Sequence, residues 1–215
     1  DIIPYEAVRF NNASIAAADK VIYDRTTDKT KAAELREKYT GIASSIANNQ
    51  VEYIRWYNGL RPQLRNEVLI YTRLNVLTQT MNILGRDGID AIPMDELANE
   101  LAKCIEIECN AITNKKSRII GNKSAIDKKL QLIEFIYDII GGIAEAPILD
   151  RKIANTLKYI GNYENRRLKR YNVDRLGEND VKNILSSLQV IAATYRIASE
   201  LGDEQSATVK EIKNI

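Results

Sequence analysis

The spacing of the apolar residues limits what this chain of 215 residues can fold into. Apolar side chains recur every three or four residues along almost the whole sequence, and no sustained alternation of period two is present. The first pattern is typical of amphipathic helices and the second of strands. We therefore predict an all-α, mostly antiparallel helical bundle of six or seven helices with coiled-coil-like packing, in a single domain over residues 1–215.

Prolines and glycines support this division into helices. Pro62, Pro93 and Pro147 fall where predicted helices begin, and a proline in the first helical turn costs no hydrogen bond. Glycines follow the ends of several predicted helices. Together with the apolar spacing, these prolines and glycines predict helices over about 4–24, 28–60, 62–84, 93–112, 124–140, 147–171 and 181–202, with a short helix or tail over 206–215.

Two predicted helices carry apolar rows with the alternating three- and four-residue spacing of a coiled coil. The first row comprises Leu35, Tyr39, Ile42, Ile46, Asn49, Tyr53, Trp56 and Leu60. The last comprises Val181, Ile184, Leu188, Ile191, Tyr195 and Ala198. We expect both rows to be buried. Asn49 has two interpretations: it fixes the register of the row, or it faces solvent where the helix drifts away from the row.

The third to sixth predicted helices have apolar faces of the same kind. Their predicted inward positions are Ile70, Leu74, Leu77, Met81 and Leu84, widened by Leu64, Val68 and Tyr71; Leu97, Leu101, Ile105 and Ile112; Ile126, Leu130, Ile133, Tyr137 and Ile140; and Leu149, Ile153, Leu157, Ile160 and Leu168.

The complete absence of histidine restricts the chemistry of the chain. It excludes Ser-His-Asp and Cys-His catalysis, His-ligated zinc and carboxylate–histidine di-iron sites. It also removes the commonest general base. We therefore expect no enzymatic activity, no catalytic residue, no metal ion and no cofactor.

Two short patterns resemble functional motifs, and we interpret both as ordinary helix features. Residues 121–124 resemble the end of a phosphate-binding loop, but the adjacent Gly-Lys and the preceding strand are missing. We interpret them as a turn between helices, with Ser124 and Asp127 as a capping box. Glu96 and Glu100 share a helix face, which we interpret as solvated rather than as an acid–base pair.

The two cysteines, Cys104 and Cys109, lie five residues apart on a predicted helix. Helical geometry separates their Cα atoms by roughly 8–9 Å, which is too far for a disulfide bond. We expect one thiol to be buried and the other partly exposed.

The candidate binding site is a basic segment over residues 114–175, which holds 14 Lys and Arg against seven Asp and Glu. Its densest part comprises Tyr163, Arg166, Arg167, Lys169, Arg170 and Tyr171. Lysines and arginines bind phosphates, and tyrosines stack on unpaired bases. Three interpretations stay open: a solvated helix face, a nucleic-acid interface, and an interface for an acidic protein.

The predicted partners follow from these features. The predicted N-terminal helix has a thin apolar face and needs another surface to be stable, so we expect self-association or a protein partner. We expect no membrane insertion, because the longest apolar stretches are far shorter than the roughly 18 residues that span a bilayer. The predicted function is a structural or protein–protein interaction module, as a subunit of an assembly; the alternative is nucleic-acid binding through residues 114–175.

The cysteine content and the first residue of the chain bear on its cellular location and on its processing. Two cysteines form no disulfide framework, and the bias towards Ile, Asn, Lys and Tyr fits an A+T-rich genome. We expect a cytoplasmic protein or a component of a viral or phage assembly. Because the chain begins with Asp1 and not Met, we also expect it to be processed or to be a fragment of a longer chain.

Overall fold

The computed structural model of the chain describes residues 29–89, 93–116, 119–141 and 147–200. These ranges form six α-helices and three single-turn 3₁₀ helices, and they contain no strand. The α-helices are α1 (Lys29–Gly59), α2 (Glu67–Ile89), α3 (Met94–Thr113), α4 (Lys123–Gly141), α5 (Pro147–Leu168) and α6 (Glu178–Glu200). The predicted all-α fold of packed helices is confirmed. The helices predicted over 4–24 and 206–215 lie outside the described residues.

The chain divides into two compact units, Asp1–Leu101 and Ala102–Ile215. In the first unit α1 packs against α2. In the second unit α6 packs against both α4 and α5. The single domain over residues 1–215 stays a prediction.

The row predicted for α1 is buried only in part. Ile46 and Tyr53 are buried, but Ile42 and Trp56 are each 46% exposed and Asn49 is half-buried. A straight helix has 3.6 residues per turn, so a strict seven-residue row drifts around it by about 20° per heptad. The buried face follows the drift and comprises Ile46, Ala47, Gln50, Val51, Tyr53, Ile54 and Tyr57.

The apolar face of α2 is widened on the opposite side from the one predicted. Its buried residues include Ile70, Leu74 and Leu77, as expected, together with Arg73, Val76 and Thr80. The Arg73 guanidinium lies 4.6 Å from the centre of the Tyr53 ring, which provides a partner for this nearly buried cation. The predicted additions to the face are exposed: Leu64 by 64%, Val68 by 60% and Tyr71 by 41%.

The predicted inward positions of α3, α4 and α5 are largely confirmed. The leucines and isoleucines of these helices that are at least 96% buried are Leu97, Leu101, Ile105, Ile112, Ile126, Leu130, Leu132, Ile133, Ile136, Ile140, Leu149, Ile153, Leu157 and Ile160. Tyr137, Ile139 and Leu168 are half-buried.

Helix ends in the second unit differ from the predictions in two places. The side chain of Asn122, and not Ser124, caps α4, because its amide oxygen accepts a hydrogen bond from the backbone N–H of Ala125 at 3.1 Å. Helix α5 ends at Leu168 instead of about Tyr171, and Lys169 and Arg170 lie in the turn that follows.

Both cysteines are fully buried, so the expectation of one partly exposed thiol was wrong. Cys104 and Cys109 lie on the same buried side of α3, whose face extends through Glu108. Burial raises the pKa of the Cys109 thiol to about 11. A thiol that is protonated and buried is unreactive, which gives these cysteines a packing role.

Candidate functional site

Helix α6 turns its smaller side chains inward. Its buried residues are Ser187, Val190, Thr194, Ile197 and Ala198. Of the row predicted to be buried, only Ala198 is buried; Ile184 and Ile191 are half-buried, and the other members are exposed. The prediction for α6 was therefore wrong by about one residue, which rotates the buried face by 100° around the helix.

The exposed side of α6 carries an apolar row of its own. It comprises Val181, Leu185, Leu188, Ala192 and Tyr195, which follow one another at spacings of four, three, four and three. Val181 is 44% exposed, Leu185 55%, Leu188 48% and Tyr195 37%, and Ala192 is exposed as well. We call these five residues the α6 row. The row has the heptad spacing of a coiled-coil interface and spans about 21 Å of helix.

The two flanks of the α6 row differ in chemistry. The half-buried Ile184 and Ile191 lie along one flank, and Lys182, Gln189 and Arg196 lie exposed along the other. Arg196 forms a two-pronged ion pair with Glu134 of α4, with one N–O distance of 3.0 Å. Lys182 pairs with Glu178 one turn earlier at 2.6 Å. An apolar row with one apolar and one polar flank is the pattern of a helix that packs against another helix.

Three of the six candidate binding residues are exposed cations. Arg166 is exposed at the end of α5, where its Nε donates to the backbone carbonyl of Asn162 at 3.1 Å. Lys169 and Arg170 are exposed in the turn after α5. Because α5 ends at Leu168, Lys169 and Arg170 do not continue the helix face on which Arg166 lies. The three charges nonetheless lie within five residues on the surface.

The other three candidate residues take part in local packing. Arg167 is half-buried, lies 3.4 Å from the carboxylate of Glu164, and its guanidinium is 6.0 Å from the centre of the Tyr163 ring. Glu164 is almost completely buried, so Arg167 compensates a charge inside the protein. Tyr163 and Tyr171 are half-buried, which leaves part of each ring accessible.

Lys123, in the first turn of α4, is a further cation near Glu164 and Arg167. Its Nζ donates to the backbone carbonyl of Asn183 at 2.9 Å and to the Ser187 hydroxyl at 3.0 Å. Burial lowers the pKa of Lys123, and the charge of Glu164 partly offsets this effect. Lys123 therefore anchors α4 to α6 and is less available to a partner than the exposed cations.

The connection between α3 and α4 reaches the same end of the second unit. A Cβ atom at Gly121 would lie 3.6 Å from the Tyr163 hydroxyl, so this connection packs against the last turns of α5. It carries the exposed Lys115 and Lys116. Gly121, two residues before Lys123, thus lies beside Tyr163, three residues before Arg166.

The carboxylate pair on α3 is not the solvated face that its spacing suggested. Glu96 is about half exposed, but Glu100 is 5% exposed and accepts a hydrogen bond from the Asn58 amide at 3.1 Å. Arg55 pairs with Glu96 and lies 3.7 Å from Glu100. One guanidinium between two carboxylates stabilises their charged forms, which is unsuited to a general acid.

Within the described ranges, no group of three or more Cys, Asp or Glu side chains is placed to hold a metal ion. None of the six α-helices is long and apolar enough to cross a membrane.

Comparison with known proteins gave no relative: no family model, curated protein or solved structure matches the chain.

The α6 row is the main candidate surface because of its exposed apolar side chains. The sequence analysis missed Leu185 and Ala192 within it. A signal for them was present, because Val181, Leu188 and Tyr195 fit the row through Leu185 and Ala192 as well as the row through Ile184 and Ile191.

Proposed function

We propose that this chain is a non-enzymatic protein-interaction module, a subunit of an assembly, and that it binds its protein partner through the α6 row. The observation that carries the proposal is the exposure of four large apolar side chains with heptad spacing on one helix. Fully burying a Leu or Val side chain stabilises a complex by about 1.5–3 kcal/mol. A contiguous row of such residues is the usual mark of an interaction site.

The charges of the second unit support an interaction role over catalysis. The chain has no histidine, and its most buried carboxylates, Glu108 and Glu164, each lie against a cation. Each of these carboxylates is engaged in an ion pair inside the chain, which suits a packing role better than proton transfer to a substrate.

Site-specific photocrosslinking in the source cell tests this function. A photoreactive phenylalanine analogue at Leu185 is expected to form a covalent adduct with a protein, and the same analogue at Asn155, an exposed position on α5, is the control. Mass spectrometry then identifies the adduct. Equal labelling at the two positions, or no protein adduct at Leu185, would overturn the proposal.

A second candidate function is binding of a nucleic-acid phosphate backbone at the basic end of the second unit. Its support is the contact of Gly121, two residues before Lys123, with Tyr163, three residues before Arg166. Arg166, Lys169 and Arg170 supply exposed cations, and Tyr163 and Tyr171 supply partly accessible rings for stacking.

Fluorescence anisotropy with single-stranded RNA and duplex DNA at two salt concentrations tests this second function. Replacing Arg166 and Arg170 with Gln is expected to weaken binding and to lower the salt slope by about 1–2. The matched control replaces Arg151 and Lys103, two exposed cations, with Gln. Arg151 lies about 22 Å along α5 from Arg166. Absence of binding by the unmodified chain at low salt would exclude this function.

A further inference from the structure

We infer that the partner of the α6 row is the α6 row of a second copy of this chain, packed antiparallel about a two-fold axis. The inference rests on the proposed function and adds the identity and orientation of the partner. It is carried by the distribution of apolar and charged residues along the two flanks of the row.

The row itself pairs well with an inverted copy. In an antiparallel coiled coil, Leu185 lies opposite Leu188 of the second copy, and Val181 lies opposite Ala192. The two-fold axis then passes between residues 186 and 187. Each central layer therefore contains two leucines, and each next layer combines Val181 with Ala192. At each end of the interface Tyr195 lies opposite Glu178 of the second copy. Such an interface is isologous, which is the commonest arrangement in homo-oligomers.

The two flanks of the row determine the orientation. Antiparallel packing brings like flanks together, so Ile184 lies near Ile191 of the second copy and extends the apolar core. On the polar flank, Lys182 lies near Gln189 of the second copy. Parallel packing would instead place each isoleucine flank against the flank of Lys182, Gln189 and Arg196, which would leave cations against apolar surface.

Charges at the two ends of the polar flank favour the same orientation. Glu178 lies at its start and Arg196 lies 18 residues later. Inverting the second copy about the same axis brings the Lys182–Glu178 pair of each chain close to the Arg196–Glu134 pair of the other, twice in the dimer, so that Glu178 faces a second cation. Electrostatic complementarity of this kind fixes register and orientation. Because the row is short, the interface is at the small end of specific interfaces, and we expect dissociation on the order of micromolar.

Analytical ultracentrifugation tests the dimer. The full chain is measured at about 1 to 200 μM, which brackets a micromolar Kd. Replacing both Leu185 and Leu188 with Asp is expected to weaken dimerisation at least about 100-fold, because two carboxylates would be desolvated in each central layer. Replacing Leu69 with Asp is the matched control, since Leu69 is 53% exposed on α2. A dimer that survives the double substitution contradicts the inference.

Cysteine crosslinking tests the orientation without any change to the row. One variant carries Lys182→Cys and another carries Gln189→Cys, and the unmodified chain, whose two thiols are buried, is the control. Antiparallel packing predicts that a mixture of the two variants forms the mixed disulfide in preference to either homodimeric one. Parallel packing would set both cysteine positions against the isoleucine flank of the other copy, so it predicts no preferred mixed disulfide. A mixed disulfide that is no more abundant than the homodimeric ones would therefore overturn the inference, even if the Asp variants failed to fold.

Failure of the inference is distinguishable from failure of the proposed function. A strictly monomeric chain, together with a photocrosslink from Leu185 to a different protein, overturns the homodimer and supports the interaction role. A monomeric chain whose Leu185 analogue reacts only within its own chain contradicts both.

Discussion

Helices α4 and α6 pack against one another in the second unit and use their apolar residues in opposite ways. Helix α4 buries five large apolar side chains to 2% exposure or less along Ile126–Ile136, and Ile140 continues that face. Helix α6 buries Ser187 and Thr194 in its inward face and leaves Leu185 and Leu188 about half exposed. The difference shows that α4 places its large apolar side chains in the core, whereas α6 leaves its own on the surface, where the proposed association would bury them.

Helix α4 also contains a buried charge that has no counterpart in the inward face of α6. Lys129 forms an ion pair with Glu108 of α3, and the two side chains are 7% and 0% exposed. A buried pair of this kind is sensitive to the loss of one member, because the remaining charge is left with less compensation in a poorly polar surrounding.

The largest expected effect is therefore at Lys129. Replacing Lys129 with Met is expected to lower the free energy of unfolding by about 3–5 kcal/mol, because it uncouples the buried Glu108 carboxylate from its cation. Urea unfolding followed by circular dichroism measures this change. Lys128→Met, at an exposed neighbouring position, is the control and should change stability little.

Adding Glu108→Leu to Lys129→Met distinguishes a charge effect from a packing effect. Removal of both charges is expected to recover most of the lost stability. If the double variant were as unstable as the single one, packing of the lysine side chain, rather than its charge, would explain the loss.

The next effect concerns the apolar core of α4. Ile136 is completely buried, so Ile136→Ala is expected to lower the free energy of unfolding by about 3 kcal/mol through lost transfer energy and a residual cavity. Ile136→Val should cost only about 0.5–1.5 kcal/mol. Equal losses for the two substitutions would indicate that the site collapses around the smaller side chain.

Periodicity predicted the helices well and their buried sides unevenly. The faces of α4 and α5 were predicted because each contains one dominant set of β-branched and Leu residues at helical spacing. In α6 two apolar rows overlap through Val181, Leu188 and Tyr195, and spacing alone does not choose between them. The face that the chain covers is the one with small polar residues, which close helix contact with α4 and α5 requires.

The candidate binding residues show a similar limit. The sequence places Arg166, Arg167, Lys169 and Arg170 in one run, but local charge pairing separates them. Arg167 is held by the buried Glu164, whose position could be known only once α5 was packed. Composition therefore predicted a basic surface, and tertiary contacts decided which cations remain exposed.

A smaller effect is expected at alkaline pH. Burial, and then the hydrogen bond from its hydroxyl to Asp150 at 2.6 Å, raise the pKa of Tyr137 to about 12, and burial raises that of Cys109 to about 11. The unfolded chain loses these protons near pH 10 and 8.5. Between about pH 9 and 12 the native state therefore binds more protons, so this stabilisation is present below that range and is lost as pH rises.

Melting temperatures from pH 8 to 11 measure this dependence (a range set by the reference pKa values of about 8.5 and 10). Tyr137→Phe combined with Cys109→Ala is expected to be less stable at neutral pH. Above about pH 9, close to the reference pKa of a thiol, this variant should lose stability less steeply than the unmodified chain, because two of the groups that titrate there are gone. The decline of the unmodified chain sets the comparison. An unchanged slope would assign the alkaline loss to other groups.

The smallest effect is expected on the exposed side of α6, and it should depend on protein concentration. Leu188 is 48% exposed, so Leu188→Ala removes little buried area within one chain and should change the free energy of unfolding by about 0.5 kcal/mol or less in dilute solution.

If two copies pair through the α6 row, association stabilises the native state by mass action, and the unmodified chain gains stability as its concentration rises. Leu188→Ala should reduce that gain while leaving the dilute value unchanged. Unfolding curves at two protein concentrations, about a hundredfold apart so that the mass-action shift is resolved, measure the dilute stability and the gain on association. A loss of several kcal/mol in dilute solution would mean that Leu188 is part of the core of a single chain, and the contrast between α4 and α6 would then disappear.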